Sequence, residues 1–237
     1  AMNRFAAVVR ADDPPEPPAY VPVASRMAIA ILTISVVGAA GSRGLPLPPS
    51  PDLYERTVEA VAAWPAWIGH GFEVVSELGL LVLAGGLIMT GVGHRRHVPR
   101  LARVLAAGSG VVAAYLISEG LKVAIAQPRP CIGLAAGTTV ADCPSATDWS
   151  LPSNHAAIAT ALAVAIAFSA DRAARWAVPL ALLVCASRVI IGVHYPHDVL
   201  SGALLAAVIV TGTTLVLGRP AHVVAAHLQA VWSARRS

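Results

Sequence analysis

Six apolar stretches constrain the fold of this chain more than any other feature of its sequence. Each is bounded by charged residues, proline or glycine, and together they cover residues 27–42, 66–93, 101–124, 155–170, 176–193 and 198–217. A transmembrane helix needs roughly 20 predominantly apolar residues, so flanking residues must extend the shorter stretches or neighbouring helices must shelter their polar ends. The pattern predicts an all-α, polytopic membrane protein, folded as a six-transmembrane-helix bundle.

Composition excludes two other classes of protein. Hydrophobic residues make up 56% of the chain and charged residues 13%, whereas a typical soluble domain has about 25% charged residues. A chain with so few charges can neither cover a soluble globule nor remain a solvated, disordered protein. The net charge of +4 comes from basic residues at the ends of the apolar stretches, a placement that favours membrane topology over nucleic-acid binding.

We expect three regions along the chain. Residues 1–25 are rich in proline and acidic residues and are expected to form a disordered cytoplasmic tail. Residues 26–218 form the transmembrane domain, with a short surface helix or loop element around 52–64. Residues 219–237 form a cytoplasmic tail, in which apolar residues at helical spacing over 221–232 predict an amphipathic helix on the inner membrane surface.

The basic residues predict the orientation in the membrane. Six crossings place both termini on one side, which carries twelve of the seventeen Lys and Arg residues, and five fall on the other side. By the positive-inside rule, both termini are cytoplasmic and the chain is a multi-pass protein of the plasma membrane. The first stretch could instead be the core of a signal peptide, but its acidic, proline-rich leader lacks the short basic start of such peptides.

Two cysteines lie in the loop between the third and fourth stretches. Cys131 and Cys143 are on the outer, oxidising side in this topology. We favour a disulfide between them over two free thiols, since it would close a short loop and stabilise it by roughly 3 kcal/mol. Cys185, inside the fifth stretch, is expected to pack within the bundle.

Polar and charged residues cluster at the outward ends of stretches three to six. A charged residue near the bilayer centre costs at least about 2.5–3.5 kcal/mol, so such a cluster requires an explanation. The prolines at 128 and 130 break the third helix, which can turn Lys122 and Arg129 onto one small anion. Ser153 lies at the N-cap of the fourth helix, where free N–H groups attract an anion. A third cation, Arg188, and two histidines, His155 and His194, belong to the same cluster. Together these features indicate a phosphate site.

These residues form three motifs that resemble the three-part signature of the type 2 phosphatidic acid phosphatase (PAP2) superfamily. That superfamily includes membrane lipid phosphatases, glucose-6-phosphatase and vanadium-dependent haloperoxidases. The motifs read Lys122-x6-Arg129-Pro130, Pro152-Ser153-x-His155 and Ser187-Arg188-x5-His194-x3-Asp198. They span residues 122–198, and the six-helix layout extends the resemblance over about 26–218.

The resemblance implies a metal-free mechanism with an active site at the extracytoplasmic face. It makes His194 the nucleophile that forms a phosphohistidine, with Asp198 orienting its ring. It makes His155 the acid that protonates the leaving oxygen and later activates water. The residues that it implies as phosphate ligands are Lys122, Arg129, Ser153, Asn154 and Arg188.

Three further residues carry separate predictions. The second motif of the family often has Gly where this chain has Asn154, which crowds the phosphate unless Asn154 adopts a left-handed conformation or donates a bond from its amide. Glu119 shares a helix face with Lys122 and is predicted to hold its ammonium. Glu73 and Glu77 share another face and are predicted either to line a polar groove or lipid path, or to pack against a neighbouring Arg or Ser.

The function implied by the resemblance is hydrolysis of a lipid phosphate in the outer leaflet, with membrane lipids as partners and no cofactor. We expect a polyprenyl diphosphate of the undecaprenyl or decaprenyl type, cleaved to the monophosphate and phosphate. Phosphatidylglycerophosphate, phosphatidic acid and a prenyl-phosphosugar remain alternatives, and so does a non-catalytic binder or transporter of anionic lipids. His194, His197 and Asp198 are close in sequence, but no HExxH or paired-Cys spacing accompanies them, so we expect no metal site.

Overall fold

The computed structural model describes residues 50–132 and 139–234, and within these ranges its regular structure is helical. The predicted tail 1–25 and the first apolar stretch, 27–42, lie outside the described residues. The other five apolar stretches fall in successive helices, so the prediction of an all-α, multi-pass bundle is confirmed for this part of the chain. The helices are α1 Ser50–Ala62, α2 Ala66–His94, α3 Val98–Ile125, α4 Asn154–Ser169, α5 Asp171–Ile190 and α6 Pro196–Ala234.

Four of these helices, α2, α3, α5 and α6, are long and apolar enough to cross a membrane. Large apolar side chains such as Leu81, Met89 and Val216 project from them and are exposed. A water-soluble surface rarely carries so many large apolar groups, whereas a bilayer solvates them. These faces therefore meet lipid.

The short helix α4 forms the centre of the bundle. Its 16 residues are too few for a perpendicular span, but α2, α3, α5 and α6 all pack around it. Ala159, Ala161, Ala165 and Ile166 are completely buried, and the small alanine side chains let the surrounding helices approach closely. Because its neighbours shield it from lipid, α4 can begin inside the bundle and present its N-terminus to a polar site.

The helix α1 matches the predicted surface element around 52–64 and packs against the connection between α5 and α6. Its Tyr54 is buried, and the phenol donates a hydrogen bond to the carbonyl oxygen of Gly192 at 2.9 Å. The ring of Tyr54 also meets the ring of Tyr195 edge to face, with centroids 5.3 Å apart. Burial, with the nearby Tyr195, raises the pKa of Tyr54 to about 12, so the phenol stays a hydrogen-bond donor.

The long connection between α3 and α4 is held at several points. The helix α3 ends at Ile125, and its C-cap residue Ala126 lies in the left-handed region with φ 52°. The predicted disulfide between Cys131 and Cys143 is confirmed, and Cys185 is buried in the bundle as expected. Further along, the N–H of Ser150 donates to the carbonyl of Gln127 at 2.8 Å, which returns the chain to the end of α3.

The last helix differs from the prediction of a span followed by a separate surface helix. α6 continues through Pro220 to Ala234, and its 39 residues are about 58 Å long at 1.5 Å per residue. Beyond the proline, Ala221 and Ala225 are buried against Leu101 and other residues at the start of α3. This packing holds the segment 221–232 against α3 as a continuation of α6, although a proline inside a helix removes one backbone hydrogen bond.

Candidate active site

The predicted site residues converge at one end of the bundle. Lys122 lies in the last turn of α3, Arg188 lies in the last turn of α5, and His194 lies in the connection that follows α5. Arg129 follows α3, and Ser153 precedes α4. All five are buried although three of them carry a charge. A buried group of cations is stable only with anionic partners or ligands, so the chemistry of the site depends on what faces these side chains.

The ring of His194 is held in one tautomer. Nη1 of Arg129 lies 3.0 Å from its Nε2, and because a guanidinium only donates, Nε2 is the acceptor and Nδ1 carries the hydrogen. Nδ1 faces Oγ of Ser150 at 3.3 Å and Oδ2 of Asp198 at 3.5 Å. Burial lowers the pKa of His194 to about 4; the bond to Asp198 opposes this shift, and the charges of Arg129 and Arg188 add to it. The ring is therefore neutral near pH 7, with its lone pair on Nε2.

The carboxylate of Asp198 is fully buried in the first turn of α6 and surrounded by donors. Its Oδ1 accepts from Nε2 of Gln127 at 3.0 Å and lies 3.1 Å from Nε2 of His197. Its Oδ2 accepts from the N–H of Tyr195 at 2.9 Å and from the hydroxyl of Ser150. These contacts fix the carboxylate that orients His194. Gln127 and Ser150 were not predicted from the sequence.

Lys122 and Arg129 share a partner that the sequence did not reveal. Nζ of Lys122 binds Oδ1 of Asp148 at 2.9 Å, and Nη2 of Arg129 binds Oδ2 at 2.9 Å. Burial alone would raise the pKa of Asp148, but its bonds to the two cations outweigh burial and hold the pKa below its usual value. The two cations thus grip two oxygens of one anionic group, as phosphate binding requires. The predicted pairing of Glu119 with Lys122 is wrong.

Glu119 and Asn154 instead join α3 to α4. The amide nitrogen of Asn154 donates to Oε1 of Glu119, and its amide oxygen accepts from Oγ of Ser118 at 2.6 Å. Asn154 is the first residue of α4 and does not adopt the left-handed conformation, which was one of the two alternatives for it. One hydrogen of its amide is thus directed at α3, and the bond from this amide to phosphate, the other alternative, stays a prediction. Its backbone N–H still lies at the positive end of α4.

Two predicted phosphate ligands carry unsatisfied polar atoms. Among the described residues, the buried side-chain atoms without a hydrogen-bond partner are Oγ of Ser153, Nε of Arg188 and Oγ1 of Thr211. The hydroxyl of Ser153 does not cap α4 although it occupies the N-cap position. An unsatisfied buried donor costs about 1–3 kcal/mol. Two such donors among the predicted ligands indicate a place where a polar ligand binds.

The second histidine contacts a carboxylate from α2. Nε2 of His155 lies 3.0 Å from Oε1 of Glu77, and Nη1 of Arg188 lies 3.7 Å from the same oxygen. The same Nη1 donates to Oγ of Ser76 at 2.7 Å. One of the two alternatives for Glu77 was packing against a neighbouring Arg or Ser, and Glu77 does lie near Arg188. Its shorter contact, however, is with His155.

The chain matches a known protein family over the region that holds the three motifs. The sequence model of the PAP2 superfamily matches residues 103–220, about half of the chain. This range contains Lys122, Arg129, His155, Arg188 and His194.

Two curated relatives are named undecaprenyl-diphosphatase. The chain is 32% identical over 130 residues to undecaprenyl-diphosphatase BcrC of Bacillus subtilis, in a match that covers 54% of this chain and 65% of the relative. It is 38% identical over 96 residues to an undecaprenyl-diphosphatase of Sulfolobus acidocaldarius, in a match that covers 40% of this chain and 45% of the relative. The chain thus spans less than two thirds of the length of either relative.

The fold is similar to that of a solved membrane protein. The crystal structure is described as the first transmembrane PAP2-type phosphatidylglycerolphosphate phosphatase from Bacillus subtilis. The match has a TM-score of 0.57 and covers 78% of this chain and 93% of the other, at 20% sequence identity. At this identity the likeness concerns the fold alone.

Proposed function

Because this chain belongs to the PAP2 superfamily, we propose that it is a membrane lipid phosphatase that hydrolyses a polyprenyl diphosphate to the monophosphate and phosphate. The observation that carries the proposal is the 3.0 Å contact between Nη1 of Arg129 and the unprotonated Nε2 of His194. It places a neutral nucleophile directly beside a cation that can bind phosphate. The names of the two undecaprenyl-diphosphatase relatives support the choice of substrate.

Phosphate binding would use the cations in place of their present partner. The phosphate oxygens would take the two positions that the carboxylate of Asp148 occupies between Lys122 and Arg129. Ser153 Oγ and Arg188 Nε would donate to further oxygens, which would satisfy both atoms. Backbone N–H groups at the start of α4 would add the attraction of a helix N-terminus. Together these donors would stabilise the charge on the equatorial oxygens in the transition state.

In the first step, Nη1 of Arg129 transfers its hydrogen bond from Nε2 of His194 to an oxygen of the bound phosphate, and the lone pair released on Nε2 attacks the terminal phosphorus. The P–N bond forms while the bond from phosphorus to the bridging oxygen breaks. Asp198 holds the hydrogen on Nδ1 and stabilises the positive charge that develops on the ring. Protonated His155 gives its proton to the leaving oxygen, so that the prenyl monophosphate leaves and neutral His155 remains.

In the second step, neutral His155 removes a proton from water. The water oxygen attacks the phosphorus of the phosphohistidine, and the P–N bond breaks. Inorganic phosphate leaves, and His194 returns to its neutral form with the hydrogen on Nδ1. Every proton in this sequence is carried by His155 or water, and the mechanism requires no metal.

We place this site on the extracytoplasmic side of the plasma membrane, with both termini in the cytoplasm. The excess of basic residues on the side of the termini supports this orientation. The disulfide between Cys131 and Cys143 supports it as well, because disulfides persist in oxidising compartments. A cysteine introduced at Ala146, an exposed residue of the same loop, should react with a membrane-impermeant maleimide in intact cells. Labelling only after the cells are broken would reverse the orientation.

The activity is tested by measuring the inorganic phosphate that the purified full chain releases from lipids in the presence of a metal chelator. The panel comprises undecaprenyl diphosphate, phosphatidylglycerophosphate, phosphatidic acid and a prenyl-phosphosugar. We expect the fastest release from the prenyl diphosphate. Faster release from a diacyl lipid would overturn the choice of substrate but leave a phosphatase. Lipid binding without release from any member would indicate the non-catalytic binder instead.

A further inference from the structure

The carboxylate of Glu77 reaches the site from α2, which precedes all three motifs in the chain. Its Oε1 lies 3.0 Å from Nε2 of His155. The same oxygen is 3.7 Å from Nη1 of Arg188, and that nitrogen already donates to Oγ of Ser76 at 2.7 Å. The closer partner of Arg188 on α2 is therefore Ser76, and Glu77 lies farther away. The principal contact of Glu77 in the site is His155.

We propose that Glu77 is a positioning residue for His155, which holds the ring and stabilises its protonated form for proton transfer to the leaving group. This inference rests on the proposed function. It assigns a role in the reaction to a helix that the three motifs do not include. The geometry makes Glu77 the counterpart of Asp198, which does the same for His194.

The surroundings of His155 explain why an anion is needed there. An acid must carry its proton before the reaction, yet His155 lies in the first turn of α4, where the helix dipole opposes positive charge. Burial of the ring opposes a positive charge on it most strongly, and Arg188 from α5 and Arg129 from the connection after α3 add to this. Among the charged groups that act on His155 in the described part of the chain, Glu77 is the anion. It therefore supplies the attraction that a protonated His155 requires.

The charge of Glu77 stays constant through the proposed reaction. In the first step the proton moves from His155 to the leaving oxygen, and in the second step a proton moves from water to His155. Glu77 remains a carboxylate in both steps and exchanges no proton. Its effect is to make the protonated ring available before the first step and to favour proton uptake in the second.

The test uses Glu77→Gln in the purified full chain, with farnesyl diphosphate as a short, dispersible substrate. Gln keeps the size of the side chain and removes its charge. We expect kcat to fall about 10–100-fold, a part of what a general acid contributes, while KM changes little. Glu77→Asp should recover part of the loss because it restores the charge. The matched control is Glu73→Gln, one turn earlier in α2, whose carboxylate contacts His70 at 3.5 Å; its kcat should equal that of the wild type.

A double-mutant cycle separates an action through His155 from any other. If Glu77 acts through His155, Glu77→Gln should lower kcat by less than about twofold in a His155→Ala background. A loss of the same size in both backgrounds would overturn the proposal, because it would assign the effect to Arg188 or to the fold. Wild-type kcat in Glu77→Gln would overturn it as well. The proposed function is judged separately, on phosphate release by the wild type, and each variant is first checked for an unchanged thermal midpoint.

Discussion

Two histidine–carboxylate pairs lie at the same end of the bundle, and they differ in burial and in their separation along the chain. The side chains of His194 and Asp198 are 1% and 0% exposed, and the two residues lie one helical turn apart in sequence. The side chains of His155 and Glu77 are 26% and 62% exposed, and 78 residues separate them. One pair is local and insulated from solvent, whereas the other joins two helices at the edge of the site.

The difference matches what each histidine has to do in the proposed reaction. A nucleophile needs an unprotonated ring nitrogen and a fixed direction, and burial favours both, since it disfavours protonation of His194 and leaves little room for rotation. A residue that acts first as an acid and then as a base must exchange protons with the leaving group and with water, so its side chain must stay accessible. The low exposure of His194 and Asp198 thus suits the proposed nucleophile, and the higher exposure of His155 and Glu77 suits the proposed acid and base.

The largest effect should come from His194→Ala, which removes the nucleophile. We expect kcat to fall by about 10⁵-fold or more, as loss of a covalent nucleophile does in other enzymes. Acid-quenched enzyme should also lose the label that a ³²P-labelled substrate leaves on the wild type. A labelled phosphoenzyme that persists in this variant would make the other histidine the nucleophile and reverse the comparison.

The next effect should come from Asp198→Asn, and it should reach stability as well as catalysis. The single NH₂ group of the new amide would face either the amide of Gln127 or the N–H of Tyr195, which leaves that buried donor unpaired at a cost of about 1–3 kcal/mol. Catalysis should fall about 10³–10⁴-fold, because the Nδ1 hydrogen of His194 loses its acceptor. The thermal midpoint and kcat measure the two effects. We expect the thermal midpoint to fall in Asp198→Asn and to stay unchanged in Glu77→Gln, where the pair is exposed. An unchanged midpoint in Asp198→Asn would contradict the conclusion that the carboxylate of Asp198 is buried and fully hydrogen-bonded.

A smaller loss should follow His155→Ala, because water can partly replace an exposed acid. We expect kcat to fall about 10²–10³-fold, within the range for general acid catalysis. The phosphoenzyme should still form, and with a substrate whose leaving group needs no proton it should accumulate, because its hydrolysis also requires His155. Rapid-quench measurement of the labelled enzyme shows this. Absence of any phosphoenzyme would mean that His155, like His194, is essential for the first bond to form.

The two pairs also show what the sequence could and could not predict. His194 and Asp198 belong to one motif, so their contact follows from the start of α6 and is predictable from local spacing. Glu77 could be recognised as an unusual charge in an apolar helix, but its partner lies 78 residues away and depends on how α2 packs against α4. The cations were identifiable because charges in a membrane protein require a function.

The wrong predictions share a physical cause. Glu119 was paired with Lys122 by a rule for neighbouring turns of one helix, but the connection between α3 and α4 brings Asp148 to within 2.9 Å of that ammonium. The contacts of the Asn154 amide with Glu119 and Ser118, which link α4 to α3, were not predicted. In each case a tertiary contact outweighs a local preference, and no pattern within one helix reveals it. The same holds for α6, whose continuation beyond Pro220 packs against α3.

The smallest effect that we predict concerns Asp148, the carboxylate next to the buried pair. It occupies Lys122 and Arg129, so phosphate must compete with it for both cations. Its side chain is 44% exposed, and the exposed side provides a way out of the site when phosphate arrives. Replacing Asp148 by Asn removes the competing charge while nearly preserving the shape of the side chain.

Inorganic phosphate should therefore inhibit Asp148→Asn at roughly three- to tenfold lower concentration than the wild type, which corresponds to about 1 kcal/mol of phosphate affinity. The control is Asp142→Asn, since Asp142 is exposed in the same loop and its loss should leave the inhibition constant unchanged. The sign of the change is decisive. Weaker inhibition would mean that Asp148 stays in place and orients the two cations for phosphate. It would then be a third carboxylate that positions a catalytic group, alongside Asp198 and Glu77, and the site would bind phosphate around it.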